Sequence, residues 1–461
     1  MLTTIVFGAV FLSVLGALSS FVLTENRAQL NATAGSRGLA IAEAGLEYYR
    51  WFLAHNPNDL QNGTGHAGPY TIPYDDPEGG QTGTITLDIT GNTSCGQTTS
   101  IDIRSTGTPA EKVTADRTVV ARYARPTVAR FSYVLNSTVW TGDDRVISGP
   151  YHSNGGIRMD GTANAPVTSS LSSWLCTSSF GCSPSQTKTG VWGAGPNQSL
   201  WEYPVPQVDF AGIAADFTNL KTAATATGLY FPRYSSGTIG QSNYWRGYHF
   251  IFNGNGTVTV KRVSATTSLS STFLNPADTL DRTLIATEAL YGTYTIPTSC
   301  GLIYVEDNVW VEGVIDTKVT LVAANVATTG VAPNAMLPNN ITYQSTDGTD
   351  GLTLIAENNI LITPNSPSTM TLNGIFIAQG GAFGRNLYSC PSSYEPKGTL
   401  TILGTTVSNL RTGTQWINGC GGSDAGYQSR IDAFDRKLST DPPPFTPNTS
   451  TDYQFVDWRQ E

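Results

Sequence analysis

The histidines are the first residues to consider for metal or acid–base chemistry. The chain has four of them, His55, His66, His152 and His249. No two stand at metal-ligand spacing on one predicted element. The chain also lacks GxSxG, HExxH, Walker and dinucleotide-binding motifs in a suitable strand and helix context. We therefore interpret each histidine as structural and predict no catalytic residue and no cofactor.

Close pairs of aspartates are the other candidates for chemistry. A glycosidase or a calcium-dependent lyase needs carboxylates that converge in a cleft, which spacing alone does not reveal. The segment DGTDG brings two hard oxygen ligands together for Ca²⁺, but Asp-Gly is also common turn chemistry. We favour a turn and predict no metal site. The pairs are Asp75 with Asp76, Asp143 with Asp144, and Asp347 with Asp350.

Six cysteines point to disulfides in an oxidising compartment, because none lies in a CxxC arrangement with nearby histidine. Cys176 and Cys182 enclose the short loop TSSFG, and Cys390 and Cys420 flank a polar stretch, so we pair each couple. Pairing of Cys95 with Cys300 follows only by elimination, since six cysteines allow fifteen pairings. Buried free thiols are the alternative.

Composition limits the class of protein. Only 13% of the 461 residues are charged, the chain has 47 glycines, and the net charge is −9. Few charges with much Gly, Ser, Thr and Asn are typical of a secreted β-protein. No basic run is available to neutralise phosphates, so we expect no nucleic-acid partner.

The N-terminal segment has the pattern of a long helix that precedes the rest of the chain. Residues 1–24 contain no charged side chain, and Leu2 to Leu23 would span about 33 Å as a helix, enough to cross a bilayer. Apolar residues then recur at helical spacing, and no proline appears before Pro57. These patterns predict one helix of about 55 residues, with an apolar first half and an amphipathic second half. A single-pass membrane anchor is an alternative reading of the same pattern.

The second half of the predicted helix has one apolar face. Glycines also occur within it, at Gly35, Gly38 and Gly45, and they indicate bending or close packing. The apolar positions of this face are Leu39, Ala42, Leu46, Tyr49 and Leu53.

The stretch LAIAEAGLEYYRW, residues 39–51, resembles the PilX-like minor pilins of the type IV pilin-like superfamily. The resemblance implies that a prepilin peptidase removes a basic leader, so Met1 is expected to be the processed terminus. It also implies that subunits leave the inner membrane through the pilus assembly machinery and bundle their apolar helices in a filament. The implied assembly core comprises Met1, Leu2, Ile5, Val6, Phe7, Val10, Phe11, Val14, Leu15, Leu18, Phe21 and Val22.

One residue departs from the family pattern. Major pilins usually carry a glutamate at mature position five, where this chain has Ile5. Either the usual salt bridge to a neighbouring terminal amine is absent, or the chain is a minor subunit. Small residues at Gly8, Ala9, Gly16 and Ala17 would still permit close helix approach.

Beyond the helix, the sequence predicts β-structure in two parts. The runs TITLDI and TVVARY alternate apolar and polar residues, which indicates a small antiparallel subdomain over 57–128, packed on the helix. Related runs around Thr320, Thr353, Thr371 and Thr401, 33, 18 and 30 residues apart, favour a parallel β-solenoid in 129–461. An antiparallel sandwich is the alternative.

Several smaller features of the large domain carry predictions of their own. The spacing of Phe210, Ile213, Phe217, Leu220 and Ala224 predicts a surface helix that stops at Gly228. The C-terminus predicts a short helix, a proline-rich crossing and a docking strand. Asparagines within the repeats suit a side-chain ladder, and some tryptophans suit stacking on sugars. They are Asn325, Asn358 and Asn373, and Trp174, Trp192, Trp201 and Trp245.

Together these features predict an α+β chain: a pilin-type helix over 1–56, an antiparallel β-subdomain, and a parallel solenoid-like body. The expected function is a structural subunit of a type IV pilus-like filament on a prokaryotic cell surface, reached through the cytoplasmic membrane. Expected partners are further copies of the chain and a host-cell or surface receptor that it adheres to. The alternatives are a minor or tip pilin, and a membrane-tethered β-helix enzyme acting on polysaccharide.

Overall fold

The computed structural model describes residues 2–56, 59–212, 214–272, 281–390, 392–450 and 452–461. A long N-terminal helix is followed by a large β-rich region that contains antiparallel and parallel sheets, which confirms the predicted fold class. The chain forms two compact units. The first comprises 1–92, 98–124 and 454–461, and the second comprises 93–97 and 125–453. The domain boundaries at 56 and 128 stay predictions.

The regular elements are short apart from the first helix. The helices are α1 (Leu2–His55), α2 (Phe217–Thr227) and α3 (Arg436–Thr440). The strands are β1 (Tyr70–Asp75), β2 (Gln81–Ser94), β3 (Gln97–Pro109), β4 (Arg117–Ala124), β5 (Tyr133–Leu135), β6 (Val139–Thr141), β7 (Arg145–Ser148), β8 (Tyr151–Ser153), β9 (Ile157–Met159), β10 (Thr162–Ala163), β11 (Val167–Ser169), β12 (Ser173–Cys176), β13 (Gln186–Thr189), β14 (Val191–Trp192), β15 (Trp201–Glu202), β16 (Leu229–Phe231), β17 (Gly247–Asn253), β18 (Thr257–Leu269), β19 (Ser271–Thr272), β20 (Asp281–Thr295), β21 (Leu302–Val305), β22 (Asn308–Ile315), β23 (Lys318–Ala323), β24 (Ala335–Leu337), β25 (Ile341–Tyr343), β26 (Gly351–Ala356), β27 (Ile360–Ile362), β28 (Thr369–Ala378), β29 (Phe383–Gly384), β30 (Leu387–Tyr388), β31 (Lys397–Ser408), β32 (Gln415–Trp416), β33 (Ala425–Ala433) and β34 (Gln454–Gln460).

In the first unit, an antiparallel sheet packs on the second half of α1. The strand order is β1-β2-β3-β4-β34, so the predicted C-terminal strand joins this sheet beside β4. Ile85 and Leu87 of β2 are buried while their neighbours are more exposed, as alternation in the sequence predicts. On the helix, Leu39 is only half-buried, and Ile41 is buried instead.

Glycines on α1 let the helix approach the sheet closely. A Cβ atom on Gly38 would stand 2.6 Å from the carbonyl oxygen of Ala115. A Cβ atom on Gly45 would likewise meet the side chain of Ile85 at 2.6 Å. Both glycines mark close packing, and at Gly38 the neighbour is a backbone atom, which cannot move aside as a flexible side chain can.

Among the parallel ladders in the described part of the second unit, three contain the related runs and their neighbours. One follows β21, β23, β26, the second half of β28, and β31; another follows β25, the first half of β28, β31, β33 and β7. The third follows β17, β22, β24, β27 and β29. This pairing is expected for stacked coils and not for an antiparallel sandwich.

The register of these ladders corrects one part of the repeat analysis. Thr320 pairs with Thr353, and Thr371 pairs with Thr401. Thr353 pairs next with Ile375 and not with Thr371, because β28 contributes each of its halves to a different ladder. Gly374 lies between the halves with a φ of +152°, a backbone conformation that favours glycine.

The predicted asparagine ladder exists, but other asparagines form it. Asn334 donates through Nδ2 to Asn308 Oδ1 over 3.2 Å, and Asn359 donates through Nδ2 to Asn334 Oδ1 over 3.1 Å. All three are fully buried. The prediction of Asn325, Asn358 and Asn373 was therefore wrong. Asn325 instead caps its own loop by accepting from the backbone of 327 and 328.

The surface helix α2 starts later than predicted. Asp216 caps its N-terminus by accepting from the backbone N–H of Asn219, and the helix ends before Gly228 as expected. Phe210 therefore lies outside the helix, because the capping aspartate sets the start. Ile213 lies outside the described residues.

Candidate functional site

The first half of α1 is the largest candidate site in the first unit. Every described residue from 2 to 33 is exposed, and residues 2–24 carry no charge. The exposed fraction is 81% for Leu2 and 76% for Phe7, whereas Ile41, Leu46 and Tyr49 of the second half are buried. We call residues 2–24 the apolar segment.

The residues of the predicted assembly core lie on this segment. Met1 lies outside the described residues. The others are all exposed, and they are Leu2, Ile5, Val6, Phe7, Val10, Phe11, Val14, Leu15, Leu18, Phe21 and Val22.

The apolar segment is suited to surroundings that contain no water. A helix that is apolar all round belongs in a bilayer or among other helices. Within the described residues, α1 is the helix long and apolar enough to span a membrane. The hydroxyls of Ser13 and Thr24 donate to the carbonyls of Ala9 and Ser20, one turn earlier, over 2.8 Å. These polar atoms are therefore satisfied inside the helix and oppose burial less.

Small residues leave gaps on the apolar segment. A Cβ atom added to Gly8 or Gly16 would meet no atom within 4 Å outside the helix itself. Such positions allow another helix to approach the backbone closely. They differ in this respect from Gly38 and Gly45, whose gaps the sheet already fills.

The structure joins the cysteines in three disulfides, Cys95 with Cys300, Cys176 with Cys182, and Cys390 with Cys420. These are the pairs inferred from the sequence. Around the first, the backbone N–H of Cys95 donates to Ser299, and Ser94 donates to the carbonyl of Cys300. The two segments are therefore joined by hydrogen bonds as well as by the covalent link.

The calcium candidates use their oxygens within their own loop. Asp347 Oδ1 accepts from the backbone and the hydroxyl of Thr349, which lowers the pKa of Asp347 to about 2. Asp350 accepts from the backbone of Ser345 over 2.6 Å. This is the hydrogen bonding of a turn. Among the described residues, no cluster of three or more His, Cys, Asp or Glu could hold a metal ion.

The remaining aspartate pairs do not converge. Asp144 is held by Arg430, whose Nη2 lies 2.5 Å from Asp144 Oδ1, in the second unit. Asp75 and Asp76 are exposed in the first unit. Asp143 is exposed, beside the half-buried Asp144.

The histidines fall into two groups. His55 and His66 are exposed. His152 is buried, with Nδ1 2.9 Å from Thr168 Oγ1 and Nε2 3.0 Å from Asn154 Oδ1, and burial lowers its pKa. Both ring nitrogens of His152 are thus used structurally.

His249 is different, because its neighbours are carboxylates. Its Nδ1 lies 2.7 Å from Glu288 Oε2, and its Nε2 lies 3.2 Å from Glu312 Oε1. Sequence reasoning missed this cluster. The three residues are on β17, β20 and β22; β17 pairs with β22 and with β18, and β18 pairs with β20, so strand pairing brings them together.

The tryptophans offer less surface than the sequence suggested. Trp174 and Trp245 are buried, so the expectation that they stack on a ligand was wrong. Both pack in small aromatic clusters, Trp174 against Phe180 and Trp245 against Tyr244. Trp192 and Trp201 remain half-exposed.

Comparisons with known proteins give little beyond these observations. No protein-family model matches the chain, and no curated protein matches it. Among solved structures, the crystal structure of the competence-associated pilin ComZ from Thermus thermophilus is similar over 93% of this chain and 98% of that one. The two are 13% identical, with a TM-score of 0.34, and a likeness of this size carries no argument about function.

Proposed function

We propose that this chain is a structural subunit of a type IV pilus-like extracellular filament. The observation that carries the proposal is the division of α1. One face of its second half is buried against an antiparallel sheet, whereas the apolar segment, residues 2–24, is uncharged and exposed over its whole circumference. Contiguous apolar surface on this scale marks a site that another apolar surface covers.

Two environments satisfy the apolar segment in turn. Before assembly, about 33 Å of apolar helix matches the hydrocarbon thickness of the cytoplasmic membrane. In the filament, copies of the same segment replace the lipid, and the gaps at Gly8 and Gly16 allow close packing. Other copies of the chain, the inner membrane and the pilus assembly machinery are the partners in this proposal.

The β-rich second unit is the part that the filament displays. Its parallel ladders make a solenoid-like body, with a core of stacked apolar residues such as Val311, Leu354 and Phe376. We assign it an adhesive role and no catalytic one. A receptor on a host cell or another surface is its partner in this role.

A minor or tip subunit is the second candidate, and a sequence observation favours it. Ile5 stands where major pilins carry a glutamate, and it is exposed on α1. A subunit without that carboxylate lacks one of the contacts that order successive copies. Few copies per filament would follow.

The proposal is tested by placing a charge in the apolar segment. Val14→Lys should remove the chain from filaments sheared off the cells, since a charge in an apolar bundle costs several kcal/mol. The matched control is Leu290→Lys, at a position of the second unit that is 70% exposed. Immunoblots of sheared and cell-bound fractions measure the result. Equal recovery of both variants in the sheared fraction contradicts the proposal.

A further inference from the structure

Eight asparagines stand in the pattern Asn-x-Ser/Thr, the acceptor sequence for N-linked glycans in exported proteins. A glycan is bulky and hydrophilic, so it suits an asparagine of a surface loop whose amide nitrogen the fold does not use. The structure separates the eight acceptor sequences on these grounds. Their asparagines are Asn31, Asn62, Asn92, Asn136, Asn197, Asn255, Asn340 and Asn448.

In three of these asparagines the amide nitrogen already makes hydrogen bonds. Asn92 Nδ2 donates two of them, each over 3.0 Å. Asn136 Nδ2 and Asn197 Nδ2 donate one each, over 2.8 Å and 3.0 Å. Transfer of a glycan to any of the three would compete with a contact of the folded chain.

Four others have the wrong surroundings. Asn62 and Asn340 are half-buried, the Oδ1 of Asn62 is shielded from water, and Asn340 Oδ1 accepts from a backbone N–H over 2.8 Å. Asn31 is exposed but lies within α1, where the backbone is helical. Asn448 is exposed as well, but its backbone is paired in an antiparallel bridge. None of the four is at the tip of a surface loop.

Asn255 differs from the other seven. It is exposed in the turn between β17 and β18. Its Oδ1 accepts from Thr257 Oγ1 over 2.6 Å, whereas its Nδ2 has no hydrogen-bond partner in the part of the chain that the structure describes. The Thr257 hydroxyl in turn accepts from Asn253 Nδ2 over 2.9 Å. The acceptor nitrogen is therefore available, and the hydroxyl that completes the acceptor sequence lies beside the same amide.

The turn around Asn255 leaves room for a large substituent. A Cβ atom on Gly256 would meet no atom within 4 Å. Gly254 and Gly256 have φ values of +68° and +73°, which favour glycine and make the turn tight. The Gly254 N–H donates to the carbonyl of Val314 over 2.9 Å, and the Gly256 N–H donates to the carboxylate of Asp316. Asn255 is thus held in a defined turn that borders open space.

We propose that Asn255 is an N-glycosylation site and that its donor is a lipid-linked oligosaccharide. In the transfer, Asn255 Nδ2 forms a bond to C1 of the first sugar. The bond from C1 to the phosphate oxygen of the lipid carrier breaks, and its electron pair leaves with that phosphate. Nδ2 gives one proton to a base of the transferase.

The proposal needs export of the chain, which the proposed function also needs, but it does not need filament assembly. The three disulfides agree with export, because disulfides persist mainly outside the cytoplasm. The two proposals can therefore fail separately. A glycan on chains that stay in the membrane fraction would support this inference and contradict the filament, whereas filaments built from unmodified chains would do the reverse.

Mass spectrometry of the full-length chain, isolated from the cells that produce it, tests the proposal. Trypsin cleaves after Arg246 and Lys261 and releases residues 247–261, a peptide in which Asn255 has the acceptor sequence and Asn253 does not. We expect this peptide to carry the added mass of an oligosaccharide, with fragment ions that place it on Asn255. The peptides that contain Asn92, Asn136 and Asn197 should carry none.

Two variants at one position separate recognition from folding. Thr257→Ala should lose the glycan, because the acceptor sequence requires the hydroxyl, and Thr257→Ser should keep it. The matched control is Ser199→Ala, which removes the exposed hydroxyl of the Asn197 acceptor sequence and should leave the glycan on Asn255 unchanged. An unmodified Asn255 peptide in the parent chain, a retained glycan in Thr257→Ala, or a glycan on Asn92, Asn136 or Asn197 would overturn the proposal.

Discussion

Gly38 of the first helix faces the backbone of Ala115, so closely that a Cβ atom on Gly38 would stand 2.6 Å from the Ala115 carbonyl oxygen. Real Cβ atoms do not approach backbone oxygens this closely. Glycine therefore allows the second half of α1 to pack closely on the β-structure of the first unit. The apolar segment lies outside this contact and is the exposed part of the helix.

Gly38→Ala should destabilise the first unit. Overpacking against backbone costs about 1–3 kcal/mol in the free energy of unfolding, more than the better helix propensity of alanine returns. Gly16→Ala is the matched control, because a Cβ there meets nothing within 4 Å. Chemical unfolding of the full-length variants in detergent measures both. Equal stability of the two variants would show that the helix does not approach the sheet as described.

Asn334→Ala should destabilise the second unit, because Asn334 lies between Asn308 and Asn359 in a buried ladder. The variant removes the side-chain hydrogen bonds to both neighbours, and a buried polar atom that loses its partner costs about 1–3 kcal/mol. Asn358→Ala, at the half-buried neighbour of Asn359, should stay within about 0.5 kcal/mol of the parent chain. Thermal unfolding provides the comparison. A larger loss in Asn358→Ala than in Asn334→Ala would contradict the ladder.

Asp102 should make a pH-dependent contribution to the stability of the first unit. Burial opposes its ionisation, but hydrogen bonds from Arg122 and Asn92 outweigh this and lower the pKa of Asp102. A carboxylate with a lowered pKa adds stability above its unfolded-state pKa of about 3.9, and this contribution is lost as the pH falls through the folded-state pKa.

Asp102→Asn should therefore lower the free energy of unfolding at pH 6, and its deficit relative to the parent chain should shrink toward pH 3. Asp88→Asn, at an exposed position of β2, controls for the loss of one charge. Denaturant unfolding across this pH range gives the result. A deficit that is as large at pH 3 as at pH 6 would rule out the Asp102–Arg122 pair as its source.

The elements that sequence reasoning found are those whose pattern is local. The helix from 2 to 55 was predicted from an uncharged run followed by apolar residues at helical spacing. Strands β2 and β4 were predicted from the alternation of apolar and polar residues. Cys176 was paired with Cys182 because the two enclose a short loop, and Cys390 with Cys420 because they flank a polar stretch.

What the sequence could not decide is which of two adjacent residues points inward at a corner. Asn358 and Asn359 are neighbours in a turn between β26 and β27, where strand alternation no longer applies, and only Asn359 joins the ladder. The cluster of His249, Glu288 and Glu312 was missed for a related reason. Its members lie on three strands, and neither their spacing nor their residue types signal that they meet.

Cryo-electron microscopy of filaments sheared from the cells, with mass-spectrometric identification of their protein, tests the central claim most directly. The account predicts a shaft in which this chain repeats, with the apolar segments of successive copies bundled in the core and the second unit outside. A tip-only position would select the minor-subunit alternative. Filaments that lack this chain altogether, while it stays in the membrane fraction, would contradict the account.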